Sequence, residues 1–173
     1  MKLEQDVQKF IDQTKKLEKG HQLDLSSGED LSVAIMNLIG IEEHMFFTSQ
    51  KLGDTKYIDV LNSAREMRKE LMKKIVKENE GEVWCTSKHL LSASMRLMEV
   101  GTKSLTKGDQ KEANDYFKKS FDLYNLFWGL NLGLVKSDPK KITLAKKDQP
   151  LPQKTLMGTI SQTIGKILDC CRE

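Results

Sequence analysis

The sequence predicts an all-α chain: an antiparallel up-down four-helix bundle with an extra N-terminal helix and a C-terminal amphipathic helix on a Pro/Lys-containing connector. Three observations carry this. Apolar residues recur at three- and four-residue spacing with no competing period-two pattern. Clusters of Gly, Asp, Asn and Ser return at HQLDLSSGED, LGDTK, ENEG and TKGDQ, each followed by a helix-starting composition rich in acids and Ser/Thr. Proline is absent until Pro139, after which Pro139, Pro150 and Pro152 interrupt a single stretch.

Taken in order, the elements fall at roughly 2–19, 28–52, 55–78, 81–107 and 110–134. The first places Leu3, Val7, Phe10, Ile11 and Leu17 on one side, as a covering helix would. The second carries Leu31, Ile35, Leu38, Ile41 and Met45 on its main face and Val33, Met36 and Phe47 on another, the pattern of an element covered from two sides. The third uses Tyr57, Val60, Ala64, Met67, Leu71 and Ile75. In the fourth, Leu90, Leu91, Leu97, Met98 and Leu105 accompany Ser87, Ser94 and Gly101, small residues spaced by two turns that let a neighbouring helix approach closely. The fifth is aromatic, with Tyr116, Phe117, Phe121, Tyr124, Phe127 and Trp128. Residues 156–171 form a last amphipathic segment with Leu156, Ile160, Ile164, Ile167 and Cys171 on one side. The organisation expected is therefore a bundle domain at 1–135, a basic connector at 136–155 and a tail helix at 156–173.

Composition excludes more than it selects. The chain has 173 residues, 38% hydrophobic and 31% charged, which suits one polar-surfaced domain with a core. A net charge of +3 is too small to imply a polyanionic partner. No stretch is long and apolar enough for a membrane span, and MKLEQDVQKF has no signal-peptide apolar run. Cys85 stands alone and Cys170 and Cys171 are adjacent, which is no disulfide framework, so a cytoplasmic setting is expected. Phosphate loops, dinucleotide fingerprints, nucleophile elbows and zinc-ribbon cysteine pairs are missing. A di-iron carboxylate bundle needs Glu-x-x-His on two helices, and the one such spacing, Glu18 to His21, is broken by Gly20. A HEPN-type nuclease needs an arginine followed by four to six residues and then a histidine, and His21, His44 and His89 have no arginine so placed.

Two resemblances arise. KSLTKGDQKEANDYFKKSFDLYNLF resembles half of a tetratricopeptide repeat, with Gly108, Ala113, Phe117 and Ser120 near the small and aromatic positions; as a single half-unit it reads as ordinary hairpin packing. IMNLIGIEEHMFFT, GEVWCTSKHLLSASMRLMEVGTK and LFWGLN resemble uncharacterised helical-bundle proteins of candidate-phylum bacteria, a likeness that implies a helical fold and no activity.

Three constellations carry chemistry. Glu42 projects into the apolar face of the second segment and Arg68 into that of the third, where charges do not belong by default. Counting from the turn near Asp54 puts them at almost equal height. The next two turns bring Ser92 and Tyr124 level with them, so Glu42, Arg68, Ser92 and Tyr124 could share one polar layer, either a structural pair that fixes helix register or a ligand anchor. On the fourth segment Cys85, His89, Ser92, Arg96, Glu99 and Lys103 form a polar stripe. Cys85 and His89 lie one turn apart, with Glu82 the local third metal ligand and Glu43 or His44 the candidates from another helix; two residues make no site, and neither metal nor cofactor is expected. The connector's Lys136, Lys140, Lys141, Lys146, Lys147 and Lys154 have no aromatic to stack on bases, which argues against a nucleic-acid partner.

No acid, base and nucleophile assemble at an interpretable spacing. The function expected is that of a non-enzymatic helical interaction module, self-associating or docking another protein. A small-molecule or metal-binding bundle at the Glu42/Arg68 layer or the Cys85/His89 turn is the alternative.

Overall fold

The computed structural model describes residues 25–77 and 81–134, together with Asp12. The described residues form four helices and no strand: α1 (Leu25–Leu52), α2 (Lys56–Ile75), α3 (Glu82–Thr106) and α4 (Gln110–Asn131). The N-terminal helix expected at 2–19, the connector and the tail helix expected at 156–171 lie outside the described residues.

The helices pack as two hairpins, α1 with α2 and α3 with α4, laid against each other through α1. Across the hairpins, Ser32 meets Tyr124 at 2.7 Å and the Trp128 ring covers Gly28, so α1 and α4 run antiparallel. It follows that α1 and α3 are parallel and that both hairpin turns sit at the same end of the molecule.

The apolar core between the hairpins sits at the other end. Ile35 and Met36 come from the first half of α1, Met72, Ile75 and Val76 from the end of α2, Leu90 and Leu91 from the first half of α3, and Leu126, Phe127 and Trp128 from the end of α4. Each large side chain sealed there contributes roughly 1.5–3 kcal/mol. Toward the turns the two hairpins stop covering each other: Phe46, Phe47 and Leu52 of α1, Val60 of α2 and Leu105 of α3 are exposed.

Within the α3–α4 hairpin the small residues have the role their spacing implies. Ser87, Ser94 and Gly101 are buried. The Ser94 hydroxyl donates to the Ser120 carbonyl at 2.9 Å and the Ser120 hydroxyl to the Ser94 carbonyl at 2.7 Å, a reciprocal clasp that requires the backbones to lie close. A Cβ on Gly101 would come within 2.6 Å of the Phe117 ring, so only glycine fits that crossing.

Three boundaries differ from the sequence-based ones. Helix α1 begins three residues before the expected position 28, because Gly28 is not a turn residue but the seat of the Trp128 ring, which a Cβ there would meet at 3.0 Å. Helix α2 stops at Ile75 rather than 78, because Val76 turns extended (φ −90°, ψ 110°) and buries its side chain completely in the core. Helix α4 stops at Asn131 rather than 134: Gly133 adopts φ 71°, and the Leu134 N–H donates to the Gly129 carbonyl at 2.8 Å, closing the left-handed cap that ends helices. The start of α4 follows the capping rule, with the Asp109 side chain accepting from the Glu112 N–H at 2.9 Å.

Candidate functional site

Glu42 and Arg68 meet in the middle of the α1–α2 hairpin. Arg68 Nε donates to Glu42 Oε1 at 2.8 Å and a terminal nitrogen to Oε2 at 3.0 Å, the two-pronged geometry a guanidinium makes with a carboxylate. Arg68 is buried and its remaining nitrogen points at the Met72 sulfur, while the Glu42 side chain retains 16% exposure. Each partner thus satisfies the other, which is the chemistry of a register-setting pair.

Ser92 and Tyr124 do not join this pair. Ser92 is half-buried on α3, and no hydrogen bond connects it to Glu42 or Arg68. Tyr124 turns toward the start of α1, where its hydroxyl meets Ser32, ten residues or roughly 15 Å along the helix from Glu42. The expected four-residue layer is corrected to two separate contacts. Residue counting fixed the height of Tyr124 on its hairpin, whereas its facing angle follows from how the second hairpin rests on the first.

The polar stripe of α3 lies on the surface. Cys85, His89 and Glu82 are all exposed, and among the described residues no three His, Cys, Asp or Glu side chains are grouped to hold a metal ion. Glu43, a candidate third ligand, is engaged elsewhere: Arg96 donates to it across the hairpins and to Glu99 on its own helix at 2.5 Å. Its hydrogen bond to Glu43, and the charges of Glu43 and Glu99, raise the Arg96 pKa above its ordinary value. Lys103 is exposed on the same stripe.

No protein-family model, curated protein or solved structure matches this chain.

Among the described residues, clefts of two kinds open between the hairpins. The larger in polar character, about 440 Å³, lies between α1 and α3 beside Glu43, His44, Phe47, Lys51 and Arg96. The other, about 370 Å³, is mostly apolar: Val33 and Met36 of α1, Met95 and Met98 of α3 and Phe117 and Phe121 of α4 line it, together with Glu29 and Asp30 at the start of α1. Neither is lined by Glu42, Arg68 or Ser92. No helix among the described residues is long and apolar enough to cross a membrane.

One polar feature escaped the sequence reading. Asn125 is fully buried, and neither its amide nitrogen nor its oxygen has a hydrogen-bond partner; the Trp128 indole N–H and the Asn131 oxygen are likewise unpartnered. An asparagine among aromatics on a helix looks like a surface residue. Only the packing around the end of α4 makes it an interior one.

Proposed function

We propose that this chain is a non-enzymatic helical interaction module that associates with a second copy through the apolar rim near the hairpin turns. The observation that carries this is the exposure of Phe46 and Phe47, at 47% and 65%, stacked edge to face with ring centroids 5.3 Å apart. Two adjacent phenylalanines in water are costly, and clustered exposed apolar side chains rimmed by charge are the mark of an interface. Glu43, Lys51 and Arg96 flank the patch with charges of both signs, so a two-fold arrangement can set the acid of one copy against a base of the other.

On this reading the four helices are an up-down bundle, the flanking segments at 2–19 and 156–171 are additional helices, and the setting is cytoplasmic. An exposed, unpaired Cys85 suits a reducing compartment. The tight mutual satisfaction of Glu42 and Arg68 supports a scaffold role for that pair rather than a ligand anchor. The test is light scattering across a dilution series. The parent should fall from dimer to monomer on dilution, and Phe46→Glu with Phe47→Glu should be monomeric throughout with unchanged helix content. A parent that stays monomeric at all concentrations, or a double variant that still dimerises, overturns the reading.

A further inference from the structure

The apolar cleft lies on a different part of the molecule from the phenylalanine rim, and its chemistry asks for its own occupant. Three features define what fits. Its floor and walls include three methionines, Met36, Met95 and Met98, whose unbranched thioethers adapt to varied aliphatic shapes. The aromatic wall of Phe117, Phe121 and Tyr124 runs two turns along α4, roughly 10 Å, which is groove-like rather than point-like. Its lining also includes two acids, Glu29 and Asp30. An adaptable apolar groove with two acids in its lining suits an amphipathic helix approached through a basic segment.

The chain contains such a segment. We infer that residues 156–171 of the same chain dock in this cleft as a helix, with Leu156, Ile160, Ile164 and Ile167 inward. Those four residues recur at spacings of four, four and three, one stripe of a helix. The connector leading to them, residues 136–155, holds six lysines against two aspartates, opposite in sign to Glu29 and Asp30.

Reach agrees with this choice. Helix α4 ends beside the start of α1, since Trp128 covers Gly28, so the chain leaves the bundle at the end of α1 that brings Glu29 and Asp30 to the cleft. From Leu134 back to Phe121 is roughly 20 Å along the helix. A coil the length of residues 135–155 has a root-mean-square span of about 25 Å. Span and reach match, the condition under which a tether gives its greatest effective concentration, in the millimolar range, so even a millimolar intrinsic affinity half-fills the cleft. The N-terminal segment 1–24 competes for the same site, but its lysines and carboxylates are equal in number and offer no charge match.

The experiment uses the full chain with Cys85, Cys170 and Cys171 replaced by serine, carrying Val33→Cys at the cleft and Gly165→Cys on the tail. Oxidation should give a bond within one chain, read by mass spectrometry as monomer mass. The yield should exceed by roughly tenfold that of a control pairing Gly165→Cys with Lys73→Cys on the exposed side of α2, tenfold being one order of magnitude in local concentration. Ile160→Asp with Ile164→Asp should bring it down to the control. Should that variant misfold, Glu29→Lys with Asp30→Lys should lower the yield and Lys146→Glu with Lys147→Glu should restore it. A bond between two chains overturns the proposal in favour of exchange between copies. A yield equal to the control overturns it outright, as does a stronger bond from Leu3→Cys to Val33→Cys, which would give the cleft to the N-terminal segment. Self-association through Phe46 and Phe47 is read separately from mass in solution, so either idea can fail alone.

Discussion

Removing the Arg68 side chain is the perturbation whose cost the structure bounds most tightly. Arg68→Ala leaves the Glu42 carboxylate without either of the donors that hold it at 2.8 and 3.0 Å, and also empties the space of the buried stem against Met72. Breaking one side of a buried pair costs about 3–5 kcal/mol when the survivor is sealed in. Glu42 is not fully sealed, since its side chain keeps 16% exposure and can turn toward water, which places the expected loss near the lower bound, about 3 kcal/mol. At roughly 2–4 °C per kcal/mol for a chain of this size, the melting temperature should fall by about 6–12 °C. Arg68→Lys should lie between, because an ammonium cannot reproduce the fork. The double variant Glu42→Leu with Arg68→Met leaves no stranded charge and should fall within about 1 kcal/mol of the parent. Urea unfolding followed by circular dichroism at constant m-value measures all four chains. If Arg68→Ala costs less than about 1 kcal/mol, the pair behaves like a solvated surface bridge and the burial argument fails. If the double variant is as unstable as the single one, the loss comes from packing and not from the stranded carboxylate.

Gly101→Ala should destabilise by about 1–3 kcal/mol, because the new methyl meets the Phe117 ring at 2.6 Å and the Ala113 carbonyl at 3.3 Å, and adding Phe117→Leu should recover part of the loss. Gly40→Ala, with nothing within 4 Å of its Cβ in the middle of α1, should stabilise by about 0.5–1 kcal/mol in the same urea titration; a loss there would show that α1 is packed on that face. Asn125→Leu removes two buried unpartnered polar atoms and should raise the melting temperature, whereas a fall would mean that the amide is satisfied in solution by a group such as a bound water. Hydrogen bonds from Lys56 and Lys69 hold the Asp54 and Glu66 carboxyls below their ordinary 3.8 and 4.5, so their stabilisation is complete above those values and lost as pH falls through the lower folded ones. Because the Glu66 side chain is exposed and that of Asp54 is partly open to water, acid titration should show only a shallow loss below about pH 4, flattened further by salt; a steep loss would implicate other carboxyls.

How far the sequence reaches depends on whether a feature is local. Helix existence and most ends are written in short stretches: Asp109 with Glu112 marks the start of α4, and the spacing of Ser87, Ser94 and Gly101 marks where α3 and α4 close up. The Glu42–Arg68 contact is one step less local. It is legible because a hairpin with a short turn pairs residues at equal distance from the turn, and both side chains sit on the face the hairpin buries. Contacts between hairpins have no such rule. Tyr124 and Ser32, Trp128 and Gly28, and Arg96 and Glu43 depend on which faces of two preformed hairpins come together. The height of Tyr124 could be counted, but its partner could not. Gly28 and Val76 were misread for the same reason: a glycine that admits a ring and a valine that leaves its helix to fill the core are both answers to side chains far away in sequence.

The same division explains where the surface available to partners lies. Hairpins joined by short turns are held together along their whole length, and Ala64, Ala113, Gly101 and Ser104 are buried well toward the turns. The contact between the hairpins has no covalent link at the turn end and must be made by side chains alone. Large aromatic and branched residues make it at one end, through Trp128, Phe127, Ile35 and Leu91. Beyond them the seam is tied by the polar contact of Arg96 with Glu43, whose partners are both substantially exposed and which therefore adds little. Apolar residues continue past that tie on α1, α2 and α3 without cover from the opposite hairpin. A bundle that needed only to be stable would carry polar residues there, as it does at Gln50 and Lys51 on the same helix. Keeping Phe46, Phe47 and Leu52 at a weakly closed seam makes sense where a second surface closes it.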